Sequence, residues 1–215
     1  MRILSLNMGC SAPSQASDWY ALHGWDVQQY TVRFGETRVS FVPTVVSYTY
    51  HFALAVPTNA IPAVVRWCSE HQIQLIAEDG AEPIQHFLEW GMDAIYFFDG
   101  VGNIVEFIGL SDREKPLIES FDLSMVQGIS EIGLVTDDVV GTVERIKEQW
   151  GLPSFHSYSE TFHAVGTDEG RIIVVQSGRE WFPKTGIAAQ PAPLMLQGTY
   201  NGHLHSTTWN AMDEV

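Results

Sequence analysis

Residues 93–109 read Asp93-Ala-Ile-Tyr-Phe-Phe-Asp-Gly-Val-Gly-Asn-Ile-Val-Glu-Phe-Ile-Gly109. Two apolar, β-branched and aromatic runs flank Asp99-Gly100-Val101-Gly102-Asn103, and that pattern is a β-hairpin. The second run is apolar except for Glu106. Alternate residues of a strand share a face, so Glu106 stands beside Ile104 and Ile108. A lone carboxylate among isoleucines needs a cation, a metal or good hydrogen bonds, unless its face is open to water.

Outward from the hairpin, a strand–helix–strands order occurs three times. In 3–9, Leu4, Leu6 and Met8 alternate with Ser5, Asn7 and Gly9. Ser11-Ala-Pro-Ser then starts a helix with Ala16, Trp19 and Tyr20 on one side, and Gly24 suits its stop. Strands follow near 25–34 and 37–43, the second presenting Arg38, Ser40 and Val42 on one face. The order begins again at 50–56, where Tyr50, Phe52, Leu54 and Val56 oppose His51, Ala53 and Ala55. A helix capped by Thr58 or Asn59 carries Ile61, Val64, Val65 and Cys68 at helical spacing. A strand over 73–77 and a long loop over 78–91, with a helical turn at 83–90, lead into the hairpin. The third unit opens at 129–135, with Ile132 and Leu134 opposite Glu131, Gly133 and Val135. Its helix is capped by Asp137 or Asp138 and carries Val139, Val143, Ile146 and Trp150 up to Gly151. Strands near 155–158, 161–165 and 171–176 complete it. The polar stretch 111–127 is a linker. Residues 182–193, with three prolines, are a connector. One further strand is expected at 194–200, and His203 and His205 fall in a tail.

Repeated units outweigh any single motif. The expected fold is α+β, with bulky strand faces packed under helices and small faces lining a concave sheet that leaves room for a ligand. Expected domains are a two-module unit over 1–110, the linker, and a third, shorter module with a C-terminal strand over 128–215.

The run Tyr96-Phe97-Phe98-Asp99 with Gly102-Asn103-Ile104-Val105-Glu106 resembles the closing hairpin of a βαβββ module of the vicinal oxygen chelate superfamily, which includes glyoxalases, bleomycin-resistance proteins and extradiol dioxygenases. Gly100 replaces the turn proline of that pattern. The resemblance implies paired βαβββ modules curled into a funnel, with metal ligands on the first and last strands of each module. His51 and Glu106 match those positions in the second module, and Glu131 matches the first in the third module, where Val174 takes the last. The first module offers only Ser5 or Asn7, and Ser40. The implied cofactor is a divalent metal (Zn, Ni, Mn or Fe), with Glu106 doubling as proton acceptor. Trp90 and Tyr96, near the funnel, could stack on an aromatic ligand.

Charge and composition bound the function. The 215 residues carry a net charge of −15. That excludes nucleic acid, which needs basic patches, and anionic membranes. No apolar run approaches the roughly 18 residues of a membrane span. Cys10 and Cys68 form no disulfide framework, and the N-terminus shows no long apolar signal region, so a cytoplasmic protein is expected. Two functions fit. One is a metal-dependent lyase, isomerase or dioxygenase acting on a small molecule. The alternative is a metal-free binder of cationic, drug-like molecules, which the acidic charge suits. A homodimer is the expected assembly if an exposed sheet edge invites a partner.

Overall fold

A computed structural model describes all residues except 78, 79, 113, 157, 158 and 211–215. The first module comprises β1 (Arg2–Cys10), α1 (Pro13–Leu22), β2 (Asp26–Gln28), β3 (Thr31–Phe34) and β4 (Thr37–Pro43). The second comprises β5 (His51–Ala55), α2 (Ile61–Glu70), β6 (Gln85–Phe87), β7 (Met92–Phe98) and β8 (Ile104–Leu110). The third comprises β9 (Gly128–Thr136), α3 (Val139–Trp150), β10 (Phe162–Thr167) and β11 (Gly170–Gln176), and a hairpin of β12 (Leu194–Tyr200) and β13 (His203–Trp209) follows. The fold is α+β.

The strands form two sheets, ordered β13-β12-β1-β4-β3-β2 and β10-β11-β9-β5-β8-β7-β6. Each opening strand pairs in parallel with the last strand of its own module: β1 with β4, β5 with β8, β9 with β11. Its other edge pairs antiparallel with a strand from elsewhere. β5 takes β9, and β1 takes β12. The second and third modules therefore share a sheet, and residues 1–110 are divided between the two sheets. Backbone groups on the free edge of an opening strand need partners, and once β5 and β9 satisfy each other, β1 is left for the C-terminal hairpin.

Both strand faces follow the alternation, except that a register shift in β1 between Ile3 and Ser5 puts Ile3 in the core in place of the expected Leu4. Leu6, Met8, Phe41, Phe52, Leu54, Phe107, Leu134 and Val174 belong to one continuous core under the helices. Ala53, Ala94, Tyr96, Ile104, Ile173 and Val175 form a second cluster on the concave face of the seven-stranded sheet.

Several local expectations are corrected. Neither Ser11 nor Thr58 nor Asn59 caps a helix; α1 and α2 start from Ala12 and Ala60 without a side-chain cap. Asn59 is instead spent on the linker, where its amide donates to the carbonyls of Asp112 and Lys115 at 2.7 and 3.0 Å. Asp138 does cap α3, accepting from Gly141 N at 2.8 Å, and Gly151 closes it in the left-handed region (φ 69°). Residues 73–77 contribute one bridge, Leu75 to Phe97, rather than a strand. The turn expected at 83–90 contains the short strand β6. Of the strand expected at 155–158, positions 157 and 158 lie outside the described residues. His203 and His205 stand in β13, where His205 stacks on Trp150 at 4.9 Å, so this is a strand and not a tail.

The quoted hairpin turn ties the modules together. Buried Asp99 accepts from Val101 N, Asn103 N, the Asn103 amide and the Tyr20 hydroxyl of α1, all between 2.8 and 3.0 Å. The missing proline also has a cause. A Cβ on Gly100 would lie 2.4 Å from Cβ of Trp19, so α1 packs too closely on the turn for a larger residue. Removing the Asp99 carboxylate strands several buried donors at once. Asp99→Ala should lower unfolding free energy by about 2–4 kcal/mol and Tyr20→Phe by about 1 kcal/mol, measured by urea denaturation.

Candidate functional site

The concave face of the seven-stranded sheet converges on Ala53. This small residue of β5 stands opposite Glu106 of β8 on one side and Glu131 of β9 on the other. His51 lies on the same face, two residues earlier. The three side chains are buried, and one donor atom from each lies within 4.8 Å of the others.

The hydrogen bonds define how these groups are held. His51 Nδ1 contacts the Ile104 carbonyl at 3.2 Å, which turns Nε2 towards Glu106 Oε2 at 3.4 Å. Burial works against the charged imidazole. The hydrogen bond and charge of Glu106, the charge of Glu131 and the Ile104 carbonyl outweigh it and raise the His51 pKa. Burial, and then repulsion from Glu131, raise the Glu106 pKa as well, against the pull of His51 and Tyr96. The pair thus holds a proton to higher pH than either group would in water. Tyr96, opposite Glu106 on β7, is pushed well above the usual phenol range by burial and by the two carboxylates.

Glu131 has a different partner. Arg171, fully buried and opposite it on β11, donates Nε to Glu131 Oε1 at 2.8 Å and Nη2 to the same oxygen. The guanidinium lies 4.5 Å from the Phe155 ring and 5.2 Å from the Trp90 ring. Arg171 was not among the residues singled out in the sequence. The signal was there: one arginine among Ile and Val in 170–176 needs a partner as much as Glu106 does.

Above the floor lies a cavity of about 250 Å³ walled by Phe87, Trp90, Tyr96, Phe162, Trp181 and Phe182. Residues 178–189, of which 182–189 belong to the expected connector, close over it. Their backbone bonds join Gly178 N to Ala189 O and Trp181 N to Ile187 O, at 2.8 and 3.0 Å. The Trp181 indole fits only because position 133 is glycine, where a Cβ would lie 2.6 Å from its six-membered ring.

Of the residues singled out in the sequence, His51, Glu106, Glu131, Trp90 and Tyr96 meet at this cavity. Ser5, Asn7 and Ser40 do not: they lie on β1 and β4, in the other sheet. The position matching Glu106 in the third module is also corrected. Glu106 lies two residues beyond Ile104, which pairs with His51. Two residues beyond Arg171, which pairs with Glu131, is Ile173. Val174 faces the helices, and the apolar Ile173 takes the fourth place at the funnel.

The donor set fits a divalent metal. It offers a histidine Nε2 oriented through its Nδ1 contact, a carboxylate with no arginine or lysine on it among the described residues, and a second carboxylate half neutralised by Arg171.

No family model matches the sequence, and no curated protein matches it. Solved structures do match. A Bacillus subtilis protein provisionally assigned as a dioxygenase superposes with a TM-score of 0.58 at 15% identity, covering 89% of this chain and 68% of that one. Glyoxalase I from Zea mays superposes with a TM-score of 0.51 at 12% identity, covering 94% and 76%. At such identities the likeness establishes the fold.

The buried ion pair gives a direct test. Arg171→Met leaves Glu131 as an uncompensated buried charge and should cost about 3–5 kcal/mol in chemical denaturation. The double variant Arg171→Met/Glu131→Gln should recover much of that loss.

Proposed function

Because the chain has the vicinal oxygen chelate fold, we propose that it is a divalent-metal-dependent enzyme of the glyoxalase and dioxygenase type, a lyase, isomerase or dioxygenase acting on a small molecule. The observation that carries this reading is the convergence of His51, Glu106 and Glu131 at the floor of an aromatic-walled cavity. His51 Nε2 and Glu106 would be the principal ligands to Zn, Ni, Mn or Fe(II), with Glu131 the third, shared with Arg171. When bound, the metal supplies Lewis-acid polarisation to two adjacent substrate oxygens.

The chain's own residues do the rest. Glu106 would double as the proton acceptor, since its carboxylate lies at the floor of the cavity beside the His51 imidazole. The Tyr96 hydroxyl beside Glu106 steadies that carboxylate. Trp90 and Tyr96 offer ring faces to an apolar or aromatic substrate, and the Trp181 segment excludes water from the reacting end.

A second reading has its own support. The Arg171–Glu131 pair already satisfies one carboxylate, and the aromatic walls with Glu106 and Glu180 suit an organic cation held without a metal. The buried free thiols of Cys10 and Cys68 favour a cytoplasmic location. A homodimer would form most simply along β13. From His203 to Trp209 that strand carries no Asp, Glu, Lys or Arg, and its outer edge pairs with no described strand.

Elemental analysis of untagged protein, purified without chelators, separates the two readings. About one divalent metal per chain, lost in His51→Ala, is expected. With hemithioacetals and catechols as trial substrates, Glu106→Gln should then slow turnover by about 10²–10⁴-fold. Protein that stays metal-free in Zn, Ni, Mn and Fe(II), with an unchanged Tm, overturns the enzyme reading and leaves the cation binder. Sedimentation velocity checks the assembly: Ser206→Lys, on the β13 edge, should shift a dimer towards monomer.

A further inference from the structure

The chain has 26 acidic residues against 11 lysines and arginines, so a basic group should find a carboxylate easily. Several do. Arg2 meets Glu36 and Glu169, Lys115 meets Asp112, Arg145 meets Asp138, Lys147 meets Glu144, and Arg171 meets Glu131. Among the described residues Arg33, Arg38, Arg66 and Arg179 do not, and Arg66 and Arg179 donate to backbone carbonyls instead. The one hydrogen bond of Arg33 goes to the Gly35 carbonyl at 3.0 Å, and Arg38 has no side-chain partner among the described residues.

These two arginines face each other directly across the antiparallel pair β3–β4. Like charges in such a position destabilise a sheet, and here no carboxylate bridges them. The register surrounds them with further donors. Ser5 of β1 stands opposite Arg38, and Gln197 of β12 stands opposite Ser5 and accepts its hydroxyl at Oε1, at 3.2 Å, which leaves the Gln197 NH2 as a donor. In the next row Asn7, Ser40 and Thr31 are neighbours, with Thr31 and Ser40 hydroxyls 2.9 Å apart. Asp26 of β2, opposite Arg33, is the acidic residue of these rows, and no ion pair joins them. All these side chains lie on the sheet face turned away from the Leu6, Val39 and Phe41 core.

We propose that this open face of the six-stranded sheet is a second binding site, distinct from the funnel, whose ligand is a phosphoryl dianion gripped by Arg33 and Arg38 with the Ser5 and Ser40 hydroxyls beside them. Two guanidinium forks offer paired N–H donors that match phosphate oxygens, and the Asn7 and Gln197 amides and the one O–H of the Thr31–Ser40 pair not used between them supply more. The same ligand offsets the repulsion between the arginines. It also gives a use to Ser5, Asn7 and Ser40, which the funnel does not employ. Because the rest of the chain is acidic, binding depends on these local contacts and weakens with salt.

The test is isothermal titration of the full chain with inorganic phosphate at low ionic strength. Saturable binding of one phosphate is expected, weakened about tenfold or more in Arg33→Gln and in Arg38→Gln, and unchanged in His51→Ala. Thermal melting of each variant reports folding. Should Arg38→Gln not fold, Arg38→Lys keeps the charge, removes the fork and should still weaken binding. Methyl phosphate distinguishes the source: equal affinity assigns a phosphate monoester, and lost affinity assigns free phosphate. Absence of saturable binding in the millimolar range, arginine variants that bind like the wild type, or loss of binding in His51→Ala would each overturn the proposal. The last outcome would put the anion in the funnel and leaves the metal assignment to its own measurement.

Discussion

The funnel depends on the antiparallel pairing of β5 with β9. That pairing places Glu131 across Ala53 from Glu106 and builds one curved sheet from two modules. Ala53 matters because it is small. A bulky residue there would fill the space between the two carboxylates, and the floor would be an apolar core. The pairing also sets Gly133 beside His51, which opens the slot that Trp181 occupies. One strand contact therefore fixes the ligand donors, the cavity above them and the residue that closes it.

The same contact creates an electrostatic problem. Two buried carboxylates repel each other and lack water, so positive charge must come from somewhere. Arg171 supplies it to Glu131, and His51 supplies it to Glu106 when protonated. A divalent metal would supply more to both. The floor is thus half compensated by protein and half dependent on a proton or a ligand. This is why the metal-bound and metal-free readings both remain physically coherent, and why Arg171 shapes the choice between them.

Much of this was legible in the sequence because strand periodicity is local. Leu6 and Met8 against Ser5 and Asn7, or Phe52 and Leu54 against His51 and Ala53, declare two faces without reference to anything else in the chain. The floor residues His51, Glu106 and Glu131 stood out as polar residues on faces with apolar neighbours. What could not be read was which module lies beside which. Nothing in the alternation of β1 tells that its second edge meets β12 and not a strand of the second module, and so Ser5, Asn7 and Ser40 were expected in the wrong place. Ile173 was missed for the same reason, since its place follows from register with β9, whereas Arg171, a lone arginine among Ile and Val, carried a local signal of its own. Helix starts misled because Ser11 and Asn59 could satisfy other groups: Asn59 holds the linker and Ser11 meets Ser47 at 2.6 Å.

The pairing of β1 with β12 has a consequence during synthesis. Arg2 meets Thr199 and Met8 meets Leu194, so β1 leaves the ribosome long before the strand it pairs with. The seven-stranded sheet can close before then, from segments nearer in the chain. Until the C-terminal hairpin emerges, β1 presents an unpaired edge backed by Ile3, Leu6 and Met8, the kind of edge that recruits other chains. Truncation before residue 194 should therefore be felt first as aggregation of the nascent protein rather than as damage to the funnel, because the funnel lies in the other sheet.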